Sequence, residues 1–167
     1  MKENKKEDQS SYVRAFSLLV DIIWIIAVVG LVLTAVLGIY MLILPSGDRV
    51  IKEAAIFIPS SLNSIIFVMI IFYLRKIIRS IKAKSPFEAA NVQRIKRIAY
   101  AVFILIPIDI LGKILIQGFD NIFSSTHFID LVWGGFFKLL FIGLGILVIA
   151  KVFESGLELQ KEKSLTI

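Results

Sequence analysis

Ile22–Leu44 reads IIWIIAVVGLVLTAVLGIYMLIL, an apolar run without one charged residue. A helix advances about 1.5 Å per residue, so this run can cross a hydrocarbon core of about 30 Å. A long helix in a soluble core would show a polar stripe, and this segment has none. Three further blocks behave alike. Ala54–Leu74 carries no charge, and Ile98–Gly118 and Leu131–Ala150 hold only a few ionisable residues. These blocks raise the hydrophobic share to 57%, which lipid rather than water must solvate. The chain therefore reads as an all-α, integral membrane four-helix bundle, a single domain over residues 1–167. Its spans lie at about 16–44, 54–76, 98–118 and 131–153. The pieces between them are too short to bury a core of their own.

The first block has a basic flank, as a signal peptide does, but its apolar run far exceeds a signal core and no small-x-small site ends it. It reads as a retained span. Lys and Arg near span ends are held in the cytoplasm. Lys2, Lys5, Lys6 and Arg14 precede the first span. Arg75, Lys76, Arg79, Lys82, Lys84, Arg94, Lys96 and Arg97 crowd the second connection against one acid, Glu88. The first connection is balanced, and the third holds Asp120, His127 and Asp130 without Lys or Arg. Both termini are thus expected in the cytoplasm. The net charge of +6 reflects this retention and attraction to anionic headgroups, so no direct nucleic-acid partner is expected. Cysteine is absent, which excludes a disulfide framework and thiolate metal sites.

The tail Met1–Ser11 is polar and reads as flexible. Gly30, Thr34 and Gly38 stack small residues on one face of the first span, a ridge for a neighbouring helix or, less favourably, a second copy of the chain. The second helix is expected to start near Pro59, since proline is tolerated in a first turn. In the basic connection 77–97, Ser85-Pro86-Phe87-Glu88 has the form of a capping box, so a helix should start at 86 and run into the third span. Phe87, Val92, Ile95 and Ile98 would line an apolar edge on the headgroups, with Arg94 and Arg97 turned to water or phosphate. Pro107 should kink the third span. Gly156 reads as a helix C-cap, followed by an amphipathic tail over 154–167.

Asp21, Asp109, Lys113 and Lys138 are charges that a bilayer accepts only for a reason. Asp21 and Lys113 lie near span ends. Counted from those ends at about 1.5 Å per residue, Asp109 and Asn63 sit roughly 13 Å deep, Lys138 roughly 10 Å and Thr34 near 15 Å. All four spans thus place a polar group at one level of the outer half. The structural reading is a buried Asp109–Lys138 pair hydrogen-bonded by Asn63 and Thr34, with Lys113 one turn from Asp109. The functional reading is a small-ligand or proton site built from the same residues. No phosphate-binding glycine loop, paired-histidine metal site or nucleophile elbow is present, so no catalytic machinery, metal or cofactor is expected.

Ser85-Pro86-Phe87-Glu88, Asn91-Val92 and Arg94-Ile95-Lys96-Arg97-Ile98, with the ending Phe153-Glu154 through Leu165-Thr166-Ile167, resemble a bacterial family of small four-span membrane proteins, domain of unknown function 2975. Ala89-Ala90 departs from it, standing where members often carry polar or acidic residues. The resemblance implies a multi-pass protein of the bacterial inner membrane without established activity, and suggests a regulatory partnership with a small helix-turn-helix repressor. Phe87, Glu88, Asn91, Arg94, Arg97, Leu159 and Leu165 are then the candidates for contact with a cytoplasmic partner. The expected function is a non-enzymatic regulatory or sensory membrane component. The alternatives are a small oligomeric transporter or exporter subunit using Asp109 and Lys138, and an immunity protein against a membrane-active peptide.

Overall fold

The computed structural model describes the backbone of residues 2–43, 49–83, 88–117 and 129–165, and their side chains except 2–11, 41–42, 49–55, 117, 130–131 and 164–165. Four helices fill these segments: α1 (Lys2–Ile43), α2 (Arg49–Lys82), α3 (Ala89–Gln117) and α4 (Lys138–Leu165). A π-helical segment, Asp130–Phe137, leads into α4. No strand occurs among the described residues. Each helix contains a stretch long and apolar enough to cross a membrane: Tyr12–Tyr40, Ile56–Lys82, Ala89–Ile116 and Val132–Lys163. The chain is an all-helical, multi-pass membrane protein.

The helices alternate in direction and pack in chain order, α1 on α2, α2 on α3 and α3 on α4. One end of the array gathers the basic residues and is called the basic end below; the other is the far end. The dense packing lies towards the basic end. Ile77, Ile95, Ile98 and Ala150 bind α2, α3 and α4 together, and Val20, Ile71 and Ile78 bind α1 to α2. Leu74 touches both clusters and joins them. Large side chains meet glycine at two crossings. The Phe57 ring occupies the space over Gly38, and Phe103 lies over Gly143, where an added Cβ would come within 2.5 Å of its ring. Gly30 meets no neighbour within 4 Å, and Thr34 donates to its own helix, at the Gly30 carbonyl (2.8 Å). Of the two glycines on this ridge of α1, Gly38 meets the neighbouring helix and Gly30 does not.

Several local expectations are corrected. The N-terminal tail is helical from Lys2 and belongs to α1. The second helix starts at Arg49, not Pro59, and runs on through the proline. Hydroxyls of Ser60, Ser61 and Ser64 donate to the carbonyls of Ile56, Phe57 and Ser60 at 2.7–2.9 Å, so these polar side chains are satisfied within their own helix. α3 likewise continues through Pro107. Gly156 does not end α4, because one glycine costs a helix only about 1 kcal/mol and the residues after it are good helix formers. Val92, Ile95 and Ile98 face the protein core rather than headgroups. The capping residues 85–87 lie outside the described residues. At the start of α3, the Glu88 carbonyl accepts from the amides of Asn91 (2.9 Å) and Val92 (3.3 Å).

Candidate functional site

At the far end of the array α2, the π segment with α4, and α3 line an open cavity of about 470 Å³. Asn63, Ser64 and Phe67 line it from α2, Leu105 and Asp109 from α3, and Gly134, Gly135, Lys138 and Leu139 from the π segment and α4. Three of the four residues predicted to share a polar level therefore meet around one space: Asn63, Asp109 and Lys138. Lys113 adjoins it through Asp109. Thr34 takes no part, since α1 packs on the far flank of α2.

The ion pair differs from the expected one. Asp109 Oδ2 accepts Lys113 Nζ at 3.3 Å, one turn along α3, instead of reaching Lys138 on the neighbouring helix. A local pair at i,i+4 needs no adjustment between helices. The Lys138 ammonium forms no ion pair or hydrogen bond with any described residue and stands open at the cavity, while the Lys138 backbone amide donates to the Gly135 carbonyl. The Oδ1 atom of Asn63 is buried without a hydrogen-bond donor. Buried amide oxygens are nearly always partnered, so this atom marks a place where polar material belongs.

The π segment supplies one wall of the cavity. π winding is rare, runs mostly for a single turn and concentrates at functional sites. Here it carries Gly134-Gly135 past Asp109. A Cβ on Gly135 would lie 2.6 Å from Asp109 Oδ2 and 3.3 Å from Lys113 Nζ, so only glycine lets the carboxylate and its ammonium press against this backbone. Trp133 and Phe137 of the segment and Phe141 of α4 form an aromatic row, with ring centroids 5.2 and 6.2 Å apart. Neither Gly135 nor the apolar wall of Phe67, Leu105 and Leu139 follows from depth counting. The adjacent glycines are a sequence signal for the close approach at Gly135 alone.

The candidates for partner contact fall into different places. Asn91 is fully buried. Its Nδ2 donates to Ser80 Oγ (2.8 Å), and its Oδ1 accepts from Arg94 Nη1 (2.7 Å), so it holds α2 to α3 instead of facing a partner. Arg97 is exposed and lies over the Tyr73 ring at 5.6 Å. Leu159 is 60% exposed. Phe87 and the side chain of Leu165 lie outside the described residues, as do Asp120 and His127. Elsewhere at the basic end three cations are tied to neighbouring helices: Arg75 donates to Asp21 and stacks on Trp24, Lys82 donates to Ser17 (2.6 Å), and Lys96 pairs with Glu154 (3.0 Å). Among the described residues no group of three His, Asp or Glu side chains is placed to hold a metal ion.

With the site described, its kinship can be stated. The family model described as "Protein of unknown function (DUF2975)" matches residues 53–167, and the chain belongs to this family. No curated protein and no solved structure matches the chain.

Proposed function

We propose that the chain is a non-enzymatic regulatory component of the bacterial inner membrane, with the far-end cavity as its input and the projecting end of α4 as its output. One observation carries the reading: the two helices that supply the cavity's charged groups, α3 and α4, run unbroken from it to the basic end. α4 alone is about 42 Å long at 1.5 Å per residue, roughly 12 Å more than a hydrocarbon core, so its last turns stand clear of the membrane. A solute that engages Asp109 or Lys138 in one helix arrangement better than in another shifts the balance between them. With basic residues retained inside, the cavity opens outward and the exposed Leu159 turn of α4 meets a cytoplasmic partner, such as a small helix-turn-helix repressor.

The cysteine-free sequence makes a direct test possible. Leu139→Cys should react with a membrane-impermeant maleimide added from outside, and Leu159→Cys only from inside. Adding Asp109→Asn should change the Leu159→Cys labelling rate about fivefold or more, the scale of a coupling near 1 kcal/mol. Equal rates in a folded protein would remove the link between cavity and arm. Transport is the second reading, favoured by the open cavity lined by Asp109 and Lys138. It predicts solute flux into proteoliposomes that Asp109→Asn abolishes.

A further inference from the structure

We propose that the cavity receives a small amphipathic carboxylate that brings its own hydrogen-bond donor, as an N-acyl amino acid does; this rests on reading the cavity as a solute site. Three features of the lining define the ligand. The first is charge. Asp109 is paired with Lys113, and Lys138 adds an ammonium that no described residue balances, so the described lining carries an excess of one positive charge. An ammonium in membrane surroundings attracts a counter-charge strongly, because little water is available to replace it. A cationic ligand would meet Lys138 and find Asp109 already paired. A doubly charged phosphate would carry one charge more than the site offsets. A monoanion fits.

The second feature is Asn63 Oδ1, a buried acceptor without a donor. An ionised carboxylate has only acceptors, so it can satisfy Lys138 but not Asn63. The ligand must present an N–H or O–H group elsewhere. The third is the wall of Phe67, Leu105 and Leu139, which offers apolar surface and nothing to bind a polar body. At about 470 Å³ the cavity falls within the range of small-molecule sites, about 300–1,000 Å³, where a few polar groups orient a largely apolar ligand.

The full chain in phosphatidylcholine nanodiscs, with radiolabelled N-acetyl-leucine in equilibrium dialysis, tests the assignment. N-acetyl-leucinamide is the neutral match. Saturable one-to-one binding of the acid, about tenfold or more tighter than the amide, is expected, a difference of about 1.4 kcal/mol. Lys138→Gln should bring the acid down to the affinity of the amide, and Lys138→Arg should keep the preference. Asn63→Leu should weaken both probes alike. Because Lys138 is exposed, its replacement does not threaten the packing. Equal affinity for acid and amide, or a preference that survives Lys138→Gln, would overturn the carboxylate assignment while leaving the cavity as a solute site. Failure of both probes to bind would overturn the assignment and the solute-site reading together.

Discussion

Replacing Asn91 by Ala should destabilise the fold by about 2–3 kcal/mol, and the structure says where each part arises. The side chain is 0% exposed and makes two identified bonds, one to the Ser80 hydroxyl and one from the Arg94 guanidinium. A neutral bond contributes about 1 kcal/mol and a charge-assisted one about 1.5–3 kcal/mol, with the lower end apt here because Arg94 is partly exposed. Reversible unfolding in mixed detergent micelles, followed by tryptophan fluorescence, would measure the loss. A cycle with Arg94→Ala isolates the second bond, and its coupling should be about 1–2 kcal/mol. A loss below about 0.5 kcal/mol for Asn91→Ala, the size of an ordinary surface change, would refute the claim that this residue ties α2 to α3. It would return Asn91 to the candidates for partner contact, where a substitution should alter association and leave stability unchanged.

Gly135→Ala should be poorly tolerated, costing about 1–3 kcal/mol in the same unfolding assay, because the new methyl group meets Asp109 Oδ2 at 2.6 Å. An undiminished stability would show that the π segment can move away from α3. On α1 two glycines make a matched pair. Gly30→Ala should be neutral or stabilising by up to about 1 kcal/mol, since nothing lies within 4 Å of it. Gly38→Ala should instead displace the Phe57 ring and destabilise; the opposite order would mean that α1 packs by another face.

The four spans were legible because each is a long apolar block, and length against bilayer thickness is a nearly sufficient argument. The cavity was legible in part. Counting residues from span ends gives depth, which is why Asn63, Asp109 and Lys138 were placed together before any coordinates. Depth says nothing about direction around the helix axis. Thr34 has the right level and the wrong neighbours, and Asp109 takes the lysine on its own helix. An apolar stripe has a similar ambiguity. Ile95 and Ile98 would look the same whether they met lipid headgroups or, as found, Ile77 and Ala150. The π segment was hidden because winding depends on tertiary surroundings, and two adjacent glycines permit it without specifying it.

The chain-order packing bears on how the protein is made. α1 rests substantially on α2 alone, and the family match begins at residue 53, beyond α1. During synthesis α1 enters the bilayer before any of its neighbours exists, and it must wait there as a solitary helix, with its aliphatic surface already suited to lipid. The α2–α3–α4 unit can assemble around its own two interfaces and recruit α1 as the final docking step through Gly38, Val20 and the Asp21–Arg75 pair. A first helix held along one flank is also the element that can be supplied from a separate polypeptide, so that two fragments divided between α1 and α2 should reassemble in the membrane.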